Sequence, residues 1–249
     1  MIVDVKKLEN LIRKATLDYT IETMQLTFDK EKVRTKIFNT AEDTIVFLDI
    51  ENDIMPITGD GVTVFNFIDP SKSIMPYLKL IDDEHADIQV KKEKIVLKSG
   101  RKKSNIFFCS PIIVKTFNRD DVKKGLEYFT SFKIGDDFVS DFNNLKKVGT
   151  RFGKIYLTIT DNVLYMESTD KTNRFSNGFS FAIGEIEKND LSMCFNYRNI
   201  INLIGVLNIS GIDTFSINLA YLDERRLGIM YVTNEDNSER YYLMSKEDL

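Results

Sequence analysis

Three carboxylates stand at alternating positions, Asp49, Glu51 and Asp53, a spacing that places them on one face of a β-strand. Carboxylates so arranged could hold a divalent cation and support hydrolysis; a solvated strand end accounts for the pattern equally well. The stretch Gly149-Thr-Arg-Phe-Gly153-Lys154 resembles a phosphate-binding loop. It has three residues between its glycines where four are needed, and Ile155 occupies the place of the hydroxyl that would hold magnesium. His85 is the single histidine and lies in the acidic turn Asp82-Asp83-Glu84-His85, so a nucleophile–histidine relay would have to rest on a surface residue. Cys109 and Cys194 are far apart in apolar surroundings without a CxxC partner; they read as small hydrophobes, not as a disulfide or zinc framework. No reaction chemistry emerges. The expectation is a protein that is not an enzyme, with no catalytic residue, cofactor or metal.

The elements around these residues are more informative than the motifs. Asp4 to Lys14 has helical periodicity, with Val5, Leu8, Leu11 and Ile12 on one stripe. Strand-like runs follow at 21–28, 32–38, 44–50 and 62–67, rich in β-branched and aromatic residues, and Gly59-Asp60-Gly61 marks a turn before the last. A second helix is predicted over 70–81, with Asp69 as N-cap and Pro70 at the first helical position. Pro76 should kink or shorten it. Strands are then predicted at 86–91, 94–98 and 105–109.

The second half repeats that order, displaced by roughly 127–135 residues. It offers a strand at 130–134, a helix at 137–148, strands at 154–160, 163–168, 179–183 and 191–195, a helix at 197–207, and strands at 213–219, 226–232 and 240–244. The expected class is α+β, in two similar domains, each with two helices packed on antiparallel sheets. The domains should span 1–110 and 130–249, with a connector over 111–129 that opens on Ile112, Ile113 and Val114 and contains a charged helical piece near 120–128.

Composition bounds the chain without identifying it. At 249 residues it accommodates one to two domains, and 43% hydrophobic with 29% charged residues fits folded cores. No apolar run approaches the ~20 residues of a membrane span, and the first residues lack a signal peptide's apolar stretch. The expected location is cytoplasmic, with no membrane partner. Thirty-four basic against 38 acidic side chains leave a net charge of −4, which on average argues against nucleic acid.

The order of elements resembles the DNA sliding clamps: proliferating cell nuclear antigen and the clamps of tailed phages. The most specific local match is C-terminal, where Leu227-Gly-Ile-Met-Tyr231-Val232, a polar turn and Arg240-Tyr241-Tyr242-Leu243-Met244-Ser245-Lys246 resemble the family's final hairpin, followed by the acidic Glu247-Asp248. Pro76, the long connector and the lack of a central-loop motif depart from the better-known members; a phage-encoded clamp, working in the host cytoplasm, fits these departures best. The resemblance implies a ring of six domains built as a homotrimer, encircling duplex DNA without reading its sequence. It also implies a DNA polymerase tethered for processivity and a clamp loader ATPase as partners. It assigns the subunit interface to Asn105, Phe107 and Cys109 on one side and Phe179, Phe181 and Ile183 on the other. It assigns a partner-peptide pocket to Ile112, Ile113, Val114, Leu227, Tyr242, Met244 and Ser245. Strand alternation sends Tyr241 and Tyr242 to opposite faces, so they cannot share a role.

In a clamp the helices line the hole, which gives the charge a place. Lys6, Lys7, Arg13 and Lys14 stand on the first helical segment, Lys72 and Lys79 on 69–80, Lys146, Lys147 and Arg151 on 138–151, and Arg198 on 196–207. These segments together carry about +6, leaving about −10 elsewhere. Solvated amphipathic helices also carry lysines, so the pattern supports the lining without requiring it. The basic run Lys91-Lys92-Glu93-Lys94 with Lys98, Arg101, Lys102 and Lys103 reads as a solvated hairpin ahead of a second DNA patch. The alternative to a ring is a monomeric DNA-binding polymerase accessory factor of the same fold; a metal-dependent hydrolase built on Asp49, Glu51 and Asp53 is the remaining contrast.

Overall fold

Alternation decides the strands. In Thr23–Phe28 the residues Met24, Leu26 and Phe28 are buried and their neighbours are not, the signature of a strand with one face on a core. The computed structural model describes residues 1–57, 61–117, 126–173, 177–188 and 190–245. Gly59 and Asp60 of the anticipated turn, most of the charged piece near 120–128, and Lys246, Glu247 and Asp248 lie outside them. Two compact units are formed, Met1–Asn118 with Ser238–Arg240, and Arg119–Asn237 with Tyr241–Leu249.

The first unit runs β1 (Ile2–Asp4), α1 (Val5–Ala15), β2 (Thr23–Phe28), β3 (Lys32–Phe38), β4 (Thr44–Glu51), β5 (Thr63–Ile68), α2 (Pro70–Ser73), α3 (Met75–Leu78), β6 (His85–Val90), β7 (Lys94–Ser99) and β8 (Lys102–Phe107). Its strands lie in the orders β1-β6-β7-β8 and β5-β2-β3-β4, all pairs antiparallel. The second unit runs β9 (Tyr128–Lys133), α4 (Asp136–Gly149), β10 (Lys154–Thr160), β11 (Val163–Ser168), β12 (Phe179–Glu185), β13 (Leu191–Asn196), α5 (Tyr197–Ser210), β14 (Phe215–Leu222), β15 (Leu227–Asn234) and, from Tyr241 on, β16 (Glu239–Met244). Its orders are β9-β14-β15-β16 and β13-β10-β11-β12. Strand for strand these are the orders of the first unit, so the duplication expected from periodicity is a duplication of topology. Each unit is α+β, with helices on antiparallel sheets: α1 packs on β2 and β4, α4 on β11 and β12, and α5 on β10 and β13.

Three expectations need correction, and one element left no signal. The strand placed at 105–109 is β8, Lys102–Phe107, so Cys109 falls beyond it; its amide donates to the carbonyl of Asn66 instead. The second helix is two single turns broken at Ile74, because Pro76 lacks the amide that a continuous helix would need there. Asp69 is not a side-chain cap: it sits at φ 42°, and its carboxylate takes Ser71 Oγ and Lys72 Nζ. The three-residue β1 is too short to leave a periodic signal, and antiparallel pairing with β6 creates it.

Candidate nucleic-acid interface

α1 is positioned by its cap and its stripe. Asp4 accepts the Lys7 amide at 2.9 Å, and Leu8, Leu11, Ile12 and Ala15 are buried, so Lys6 and Lys7 point to solvent. Lys6 pairs with Glu9 at 3.3 Å and Lys7 with Asp53, whose hydrogen bond and charge raise the Lys7 pKa. Such exposed pairs are weak and leave the cations available. Arg13 and Lys14 are placed differently. Arg13 Nε is 2.9 Å from Asp18, which raises the guanidinium's pKa, at a turn where Leu17, Asp18 and Tyr19 all have positive φ. Burial, followed by Asp18, pushes the Tyr19 phenol up to about 12. Lys14 is 2.8 Å from Glu239, with only 15% and 7% of the two side chains exposed. Both residues therefore hold the fold, and sequence periodicity had no means of separating them from Lys6 and Lys7.

α4 starts at Asp136, not at 137 or 138, which brings Asp136 and Asp137 into its first turn. Its formal charge is then −1, from Asp136, Asp137 and Asp141 against Lys146 and Lys147, so the positive charge counted for the 138–151 segment is not that of the helix. The distribution is polarised: acids sit at the N-terminus and lysines in the last turn, each complementing the helix dipole. Lys146 and Lys147 are exposed, and Lys147 Nζ reaches Asn144 at 3.1 Å. The end of α4 is held against the start of α5, where the Tyr197 hydroxyl donates to the Lys146 carbonyl at 2.9 Å. A Cβ on Gly149 would stand 2.5 Å from the Tyr197 ring. The glycines of the phosphate-loop lookalike thus have structural duties, helix packing at Gly149 and a turn at φ 67° for Gly153. Asn196 caps α5 by accepting the Arg198 amide at 2.9 Å, leaving Arg198 exposed. Lys79 and Arg151 are exposed too, and with Lys146 and Arg198 they make no ion pair among the described residues. Lys72 is exposed and paired with Asp69 at 2.6 Å.

The strand carboxylates do not converge. In the β3–β4 register Arg34 faces Asp49 and Lys32 faces Glu51, Arg34 Nε lies 3.2 Å from Asp49, and Asp53 holds Lys7. They form a cross-strand charge ladder. Among the described residues, ligand atoms of Asp4, Glu84 and His85 come within 4.8 Å of one another, on largely exposed side chains.

The anticipated peptide pocket is distributed unevenly. In the first unit Ile112 and Ile113 sit on a single 3-10 turn, 91% and 47% exposed, while Val114 is buried. The chain beyond them is fixed on β3 through hydrogen bonds of Phe38 to Lys115 and of Phe117 to Lys36. In the second unit Leu227 and Met244 are half-buried. Tyr242 is fully buried and stacked on Tyr231 at 4.6 Å, and Ser245 is buried with its hydroxyl accepting the Gly228 amide. Tyr241 is also fully buried, against Phe215. The two tyrosines have different ring partners, yet both are sealed in the core, so the expectation that they could not share a role is not met. Of the interface residues, Asn105 and Phe107 lie on β8, an outer strand of its sheet, and Phe179, Phe181 and Ile183 on β12, an outer strand of its own. Beside β8, Tyr77 and Leu80 are exposed around a hollow also lined by Leu97 and Ser104.

This architecture is the sliding-clamp fold. Superposition on the complex of PCNA2 and PCNA3 from Sulfolobus tokodaii gives a TM-score of 0.64 at 13% identity, over 99% of both chains. The A. fulgidus PCNA structure with the C-terminal region of FEN-1 gives 0.63 at 12% identity, over 98% of this chain and 96% of that one. The DNA polymerase sliding clamp of Bacillus subtilis gives 0.66 at 14% identity; all of this chain matches 64% of that longer one. No protein-family model and no curated relative matches the sequence. No described helix is long and apolar enough to cross a membrane.

Proposed function

We propose that the protein is a ring-shaped sliding clamp, a homotrimer that surrounds duplex DNA and tethers a replicative DNA polymerase. The observation that carries this reading is that β8 on one unit and β12 on the other each lie at the edge of a sheet, in units of the same strand order. A chain with two such edges can close head to tail with copies of itself, and closure removes edges that would otherwise invite aggregation. Exposed Tyr77 and Leu80 beside β8 supply apolar area for that contact.

The lining is drawn from Lys6, Lys7, Lys79, Lys146, Lys147, Arg151 and Arg198, exposed cations on or beside helices. They would meet phosphates without base readout, an attraction that weakens as salt rises. Topological linkage makes weak contacts sufficient, because a closed ring slides without leaving the duplex. Partner proteins and the loading ATPase would dock short apolar peptides on the exposed Ile112 and Ile113. The A. fulgidus PCNA structure with a FEN-1 segment supports that mode by analogy.

Native mass in solution tests the ring. The expected species has three times the 28.8 kDa chain mass, and cysteines placed at facing positions of β8 and β12 should crosslink between chains. A species that stays monomeric at high concentration would replace the ring by a monomeric accessory factor.

A further inference from the structure

The sheet β1-β6-β7-β8 has one face on the core, made by Ala86, Ile88, Ile95, Leu97 and Ile106. On its other face the register aligns Lys94 with Phe107, Val96 with Asn105, and Lys98 with Lys103; partners in an antiparallel ladder project to the same side. Phe107 is 63% exposed there, with the Lys94 ammonium 5.1 Å from its ring centre. Like charges directly opposite each other are unfavourable, yet Lys98 and Lys103 are so placed, and neither makes an ion pair among the described residues. Asp87, across from Lys98, is 2.8 Å from the terminal ammonium, which with the more distant Lys98 charge holds its carboxyl below the usual carboxylate range. Lys91, Lys92 and Arg101 extend the positive field at the two turns, with Glu93 the single acid among them. The fold does not impose this: the equivalent strands of the second unit, β14, β15 and β16, contain no lysine.

We propose that this face binds single-stranded nucleic acid, a base stacking on Phe107 while Lys94, Lys98 and Lys103 take the phosphates. Val96 at the centre of this face is buried and Lys94 and Lys98 are half-buried, so the accessible part is Phe107, Asn105 and Lys103 with the lysine heads; an aromatic ring among cations suits an unpaired strand, whose bases are free to stack. A duplex would offer only its backbone, and an acidic peptide would have no use for the ring. Along the strands about 13 Å separate the Phe107 and Lys103 positions, at ~3.3 Å per residue, the reach of a short oligonucleotide. Asn105 and Gln89, both exposed on the same face, are available for polar contacts to bases or sugars. Asn105 and Phe107 are also the residues assigned to the subunit interface; backbone pairing at the β8 edge would set a neighbour's strand beside this face, not across it.

Fluorescence anisotropy of the full chain with a labelled oligothymidylate, a blunt duplex of equal length and polyglutamate as competitor tests the assignment. The single strand should bind more tightly than the duplex. Phe107→Ala should weaken it about tenfold or more, and Phe107→Trp should restore binding. Lys98→Gln with Lys103→Gln should lower the salt slope by about 1.4. Binding should persist when Lys146 and Lys147 are changed to Glu, and sizing of each variant separates a lost face from a lost assembly. The proposal is overturned by equal affinity of the Ala and Trp variants, by displacement with polyglutamate as readily as with oligothymidylate, or by loss of binding in the helix variant. Absence of single-strand binding at 50 mM salt would also end it.

Discussion

Gly149 is held by what packs against it. An alanine usually improves a helix by about 0.5–1 kcal/mol over glycine, but here its Cβ would meet the Tyr197 ring at 2.5 Å and Ser168 Oγ at 3.1 Å. The ring is rigid, and its hydroxyl is tied to the Lys146 carbonyl, so relief means breaking that hydrogen bond. Steric cost wins: Gly149→Ala should destabilise the protein by about 1–3 kcal/mol, read as a lower denaturation midpoint at an unchanged m-value. The same residue looked like part of a phosphate loop because spacing alone carries no information about what lies above a glycine. Lys14 makes a parallel point. Its type and position matched a solvated helix face, and only a glutamate 225 positions away in sequence reveals it as half of a buried pair.

Elements were largely legible, for a physical reason. β3, β10 and β11 coincide with their expected spans, because a strand with one buried face must alternate and a helix must repeat near 3.6. Ends were less legible. α4 gained its acidic first turn and β8 moved toward Lys102, since polar residues enter an element when a neighbour offers hydrogen bonds, not when periodicity demands it. The 3-10 turn at Pro111–Ile113 illustrates an apolar run that is not core. With Ile112 91% exposed, changing Ile112 and Ile113 to Ser should leave stability within about 0.5 kcal/mol. If the turn receives partner peptides, the same change should weaken polymerase binding, as pull-down or calorimetry would show; unchanged binding would move the docking site elsewhere.

For the whole molecule, total charge was the wrong quantity and its placement the informative one. A net −4 coexists with exposed lysines and arginines on or beside helices and with a cluster of exposed and half-buried lysines on one sheet. Reversing Lys6, Lys7, Lys146 and Lys147 to Glu should abolish polymerase stimulation at moderate salt while leaving native mass unchanged. Stimulation that survives would remove these helices from the DNA path. What the sequence by itself determined is the repeated order of helices and strands, because periodicity is a local property that each segment carries alone. What only the tertiary structure decided is which cations are free, which tyrosines are sealed and which strands are left as edges. Those depend on partners far apart along the chain, and no local pattern encodes the distance that folding removes.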